Sequence, residues 1–84
     1  MKKKIETMLG KIVEVEWNDA YYAGSWDTIE NYQKLAPMKC RTSGYLCAVD
    51  EEKLVIVSTM GEHMNMNGGV ALPRGWVASV RLVE

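Results

Sequence analysis

His63 is the only histidine in the chain, and it lies in Met60-x-x-His63-Met64-x-Met66, the one cluster with metal-like chemistry. Thioether and imidazole ligands together suit Cu(I). A Gly/Asn-rich loop does not pre-form such a geometry, and methionine also fills irregular gaps or makes adaptable contacts. Packing or interface contact is therefore the expected role, and no metal or cofactor is expected. Zinc is disfavoured further, since the two cysteines lack ligand spacing. Nucleophilic catalysis would need His63 placed beside Cys40, Cys47 or a serine, and a histidine in a loop of this kind is expected to be solvated. The carboxylates Glu14/Glu16 read as the wet face of a strand, and Asp50-Glu51-Glu52 as a turn. The chain is not expected to be an enzyme.

The aromatic residues make the better candidate site. Trp17, Tyr21, Tyr22, Trp26 and Tyr32 fall in one stretch, and there is no Phe, so every ring carries an N–H or O–H group. Such rings suit a boundary with water or a ligand surface better than a dry interior. The stretch also has the Gly, Asn, Asp and Ser content of a loop, where binding residues concentrate. Trp17 and Trp76 are expected to pack. Two roles stay open for Trp26: plugging an open barrel end, or joining Tyr21 and Tyr22 as rings that stack on a base, a planar ligand or a partner's side chain. Arg41, Arg74 and Arg81 are possible anion anchors, Arg74 above all because a tight turn holds it. The expected binding residues are Tyr21, Tyr22, Trp26 and Arg74.

A rigid scaffold has to position that loop. Residues 11–17 alternate, with Val13, Val15 and Trp17 on one face and Glu14 and Glu16 on the other, the period-two pattern of a half-buried strand. Asn18-Asp19 is expected to break it. Residues 18–37 form a long connection, in which Asp27-Thr28-Ile29-Glu30 has capping-box spacing, with Asp27 as N-cap of a short helix. Ile29, Tyr32 and Leu35 would line its inner face, and Ala36-Pro37 would close it. Met38–Val49 reads as a second strand with a bulge or bend at Ser43-Gly44. Asp50-Glu51-Glu52 turns into a β-branched strand over 53–59, giving an antiparallel hairpin. Residues 60–69 read as a polar loop, 70–72 as a short strand, 73–75 as a tight turn and 76–83 as a last strand, with Trp76, Ala78, Val80 and Leu82 on one face. Ile5, Met8 and Leu9 before Gly10 have helical spacing.

Size and charge bound the possibilities. Eighty-four residues make one domain, expected over 11–84 behind a leader or short helix at 1–10. A core this modest makes a homo-oligomer the expected state. The net charge of −1 argues against a general nucleic-acid binder. Lys2, Lys3 and Lys4 read as a solvated leader, because no apolar stretch follows that could act as a signal or a membrane span. Cytoplasm is the expected compartment. Cys40 and Cys47 on one extended strand would stand more than ~20 Å apart, beyond disulfide reach, so both are expected as free thiols.

The expected fold is mainly β: a small five-stranded antiparallel barrel with one short helix in the long first connection. The close Ala71-Leu72-Pro73-Arg74-Gly75-Trp76-Val77 resembles that of a Src-homology-3-type barrel, and an Sm-like barrel with its N-terminal helix is similar. Trp17-x-Asp19-Ala20, Gly24-Ser25-Trp26, Ser43-Gly44-Tyr45-Leu46, the acidic turn before 53–57, and Leu72-Pro73-x-Gly75-Trp76-Val77 together resemble a group of short bacteriophage and prophage proteins. That resemblance implies a phage setting and an intracellular role, and it carries no active site. The leading expectation is a non-enzymatic phage-type binding protein, oligomeric, sequestering a nucleotide-like small molecule of host signalling or defence. The alternative is a protein-interaction module that inhibits a host protein through residues 17–32, and the third is an Sm-like nucleic-acid binder.

Overall fold

Val13 and Val15 are wholly buried while Glu14 and Glu16 face outward, as the alternation requires. They lie on β1, Ile12–Asp19, in a computed structural model that describes residues 2–83; Met1, Glu84 and the side chains of Lys2 and Lys3 lie outside that description. Asn18 and Asp19 do not break the strand, because they pair with Lys39 and Met38. The other strands are β2 (Met38–Val49), β3 (Lys53–Met60), β4 (Met66–Pro73) and β5 (Val77–Leu82). Two short helices complete the chain, α1 (Lys2–Glu6) and α2 (Ile29–Tyr32).

All strand pairs are antiparallel, in the order β4-β3-β2-β1-β5. The five-stranded antiparallel sheet is as expected, but the barrel is not closed. A 3₁₀ turn at Arg74–Trp76 carries the chain from one side of the sheet to the other, and β4 and β5 are both left as edges. Met8, Val13, Val15, Leu46, Leu54, Ile56 and Leu72 form the core, with Ile5, Trp17, Val70, Val77 and Val80 packed against it. Met8 reaches that core because Gly10, at φ 81°, turns the chain after α1 and donates its N–H to the Leu46 carbonyl. Leu9, which shares the helical spacing of Ile5 and Met8, is exposed.

The strands depart from their local sequence pattern at several points. The irregularity in β2 falls between Leu46 and Ala48, not at Ser43-Gly44. Gly44 instead permits close strand approach: a Cβ there would sit 2.5 Å from the Val57 carbonyl oxygen. β4 begins at Met66, since Met60 pairs with Met66 and Thr59 with Asn67, so the loop shrinks to 61–65. Gly68, at φ 76°, bends that strand where a side chain would strike the Ser58 hydroxyl. In β5 a bulge opposite Glu16 and Trp17 brings Val77 to the core side, so the strict alternation expected from Trp76 onward does not hold. The molecule is elongated, 53 × 27 × 24 Å, with a radius of gyration of 15.9 Å against about 12 Å for a compact chain of this length.

Candidate functional site

Residues 20–37, between β1 and β2, form an arm that its own side chains organise. Asp19 Oδ1 accepts from the Ala20 N–H at 2.8 Å as the chain leaves the sheet. Thr28, not Asp27, is the N-cap of α2: its hydroxyl accepts from the Asn31 N–H at 3.2 Å. Asp27 supports the cap from one residue earlier, accepting from Asn31 Nδ2 at 2.7 Å and from the Thr28 N–H at 2.8 Å. Those two bonds, the side-chain amide first, hold its carboxyl below the usual carboxylate range. The Tyr32 hydroxyl reaches back to the Ser25 carbonyl and lies 3.4 Å from that of Ala23, tying the helix to the loop before it.

Tyr32 is thereby half-buried, but the rest of the arm is open. Trp26 is 102% exposed, Tyr22 87%, Ile29 74% and Tyr21 52%, and α2 buries none of its residues. Trp26 therefore plugs nothing. Ile29 and Leu35, expected on an inner helix face, are exposed because α2 stands off the sheet. Tyr22 folds across Gly24, where a Cβ would lie 2.8 Å from its hydroxyl.

At the base of the arm Trp17 and Trp76 stack, with ring centroids 6.3 Å apart and planes 8° from parallel. Trp17 packs on the core and donates its Nε1–H to Thr42 Oγ1 at 3.0 Å, while Trp76 keeps 42% of its surface exposed. Two hollows flank the pair and share Asn18. One, of about 460 Å³, is lined by Trp17, Lys39, Cys40 and Arg41; the other, of about 260 Å³, by Asp19, Ala20, Pro37 and Trp76. The sequence points to packing for Trp76, and nothing in it reveals the stack, because that depends on Trp17 pairing with Val77 across the whole chain.

Arg74, two residues before Trp76 in the 3₁₀ turn, is tied to the other end of the sheet. Its Nη1 donates to the Asp50 carbonyl at 2.6 Å and its backbone N–H to Glu52 O at 2.8 Å, clamping the last turn onto the β2–β3 turn. It lines a third hollow, of about 350 Å³, between α1 and β5, with Lys4, Ile5 and Val80. None of these three hollows is lined by Tyr21, Tyr22 or Trp26. Arg81 donates to Glu14 Oε1 from Nε at 2.9 Å and from Nη2 at 2.6 Å, and Arg41 approaches the other oxygen of Glu14 at 4.0 Å.

Met66 Sδ accepts from Cys47 Sγ at 3.4 Å, while His63 and Met64 lie at the exposed hairpin tip. No group of three His, Cys, Asp or Glu side chains with metal-site placement occurs among the described residues. Cys40 and Cys47 are both free thiols. Asp50 is the most perturbed acid. The Lys53 ammonium at 2.9 Å, then the Glu52 and Lys53 N–H groups, lower it to about 2. No helix of the described residues is long and apolar enough to cross a membrane. No protein-family model, no curated protein and no solved structure matches the chain.

Proposed function

We propose that this chain is a non-enzymatic binding module that engages a protein surface through its aromatic arm, with the Trp17–Trp76 stack as the floor at the arm's base. The carrying observation is the full exposure of Trp26 on a loop whose backbone is fixed by Asp27, Thr28 and Tyr32. Exposed tryptophan and tyrosine beside Ile29 form the kind of anchor set that dominates protein interfaces. Fixing the loop in advance lowers the entropy lost on binding. A nucleotide-like ligand on the arm is less well supported, because Arg74 and Arg81 donate to Asp50 and Glu14 and the cations beside an aromatic ring, Lys39 and Arg41, line the Trp17 hollow rather than the arm. The single tight turn before β5 supports the Src-homology-3-like comparison made from its sequence.

Thermal melts at a concentration where the chain is monomeric test this reading. Trp26→Ala and Tyr22→Ala should each cost within about 0.5 kcal/mol, as exposed substitutions do. Trp17→Ala, which removes a ring packed on the core, should cost about 3 kcal/mol. Trp26→Ala melting as low as Trp17→Ala would remove the arm from the binding surface.

A further inference from the structure

The chain exposes 6413 Å² of surface, whereas a compact monomer of 9.5 kDa exposes about 5,000 Å². The excess of about 1,400 Å² per chain exceeds the ~800 Å² that each partner contributes to a standard interface. Twice that excess falls in the size class of obligate homodimers. The arm carries much of the uncovered apolar surface, since Tyr21, Tyr22, Trp26, Ile29 and Leu35 are all exposed on it. The sheet supplies a matching receptor at the arm's own root. The hollow of about 260 Å³ there is lined by Ala20 and Pro37, the two ends of the arm, and walled by the half-exposed Trp76.

Trp26 is fully exposed and lines none of the three hollows, so the arm does not fill the root hollow of its own chain. A two-fold axis solves this, because each arm then reaches the root of the other. We propose that residues 20–37 form an exchange arm that docks on a second copy of this chain, setting Trp26 against Trp76 in the partner's root hollow. This rests on the binding reading above and names its partner.

Light scattering and sedimentation of the full chain between 1 and 100 µM test the inference. The expected result is a dimer across that range, with a melting temperature that rises with concentration. Trp26→Ala should weaken dimerisation at least tenfold. Ile29→Ala, a milder change, serves if Trp26→Ala fails to fold, and should weaken it several-fold while circular dichroism keeps the strand signal. A wild-type monomer at 100 µM, any closed assembly other than a dimer, or a dimer that neither substitution weakens would overturn the exchange. In each of those cases an unchanged Trp26→Ala melt under monomeric conditions leaves the binding reading standing. A Trp26→Ala melt as low as that of Trp17→Ala under those conditions overturns both.

Discussion

Gly44→Ala and Gly75→Ala add the same single carbon and should change stability in opposite directions. At Gly44 the new Cβ would lie 2.5 Å from the Val57 carbonyl oxygen and 2.7 Å from Ile56 Cγ2. Neither is the far end of a flexible chain: one is strand backbone and the other a branch of a wholly buried core residue. Relief therefore requires β3 to move away from β2, where Tyr45 pairs with Val57 and Leu46 with Ile56. Overpacking costs about 1–3 kcal/mol, and a rigid obstruction of this kind belongs at the upper end, about 3 kcal/mol. A domain of this length has about 4–12 kcal/mol in all. At roughly 4–8 °C per kcal/mol the melting temperature should fall by about 12–24 °C. At Gly75 nothing lies within 4 Å and φ is not positive, so alanine narrows the unfolded ensemble without strain. It should stabilise by about 0.4–1 kcal/mol. Urea unfolding of both variants, each against wild type, measures the pair. A loss below about 1 kcal/mol at Gly44 would refute the close approach of β2 and β3, and a loss above about 1 kcal/mol at Gly75 would refute the open space at that turn.

Thr42→Val removes the acceptor of the Trp17 indole N–H and should cost about 1 kcal/mol in the same assay, with a shift in tryptophan emission as the bond is lost. Asp50 should bind its proton near pH 2 in the folded chain, which carboxyl chemical shifts report. Because its folded pKa lies below the unfolded value, its contribution is complete above about pH 4 and is lost as pH falls through about 2. The melting temperature of wild type should accordingly drop more steeply over that window than that of Asp50→Asn. Both cysteines should react as free thiols after denaturation without reductant, and a mass lower by one lost hydrogen pair would contradict this.

The strands legible in the sequence were those whose patterns are local. Val13 and Val15 announce β1, and the acidic turn with the β-branched run after it announces the β2–β3 hairpin. β4 was half hidden because Asn67-Gly68-Gly69 reads as a loop, and only pairing with β3 keeps it extended. The bulges at Cys47 and opposite Trp17 carry no local signature; each exists because two strands meet out of step. At the site, the loop composition of residues 20–37 marks a loop, and of the two roles left open for Trp26 the structure shows the exposed one. The partner of Arg74 was not legible for a plain reason. A tight turn holds an arginine in place, but the nearest acceptor, the Asp50 carbonyl, belongs to a turn that sequence cannot bring near it.

The interior position of β1, between β2 and β5, governs the order in which this chain can fold. β2, β3 and β4 are joined by short turns and can zip together as local hairpins within microseconds. β1 is different: one of its edges must wait for β5, where Val13 meets Leu82 and Val15 meets Val80. During synthesis the first strand leaves the ribosome long before its second neighbour exists. Closing so long a loop is slow, and it places folding in the millisecond-to-second regime of barrels rich in non-local contacts. Throughout that interval the free edge of β1, flanked by two buried valines, is the segment most open to pairing with the wrong chain.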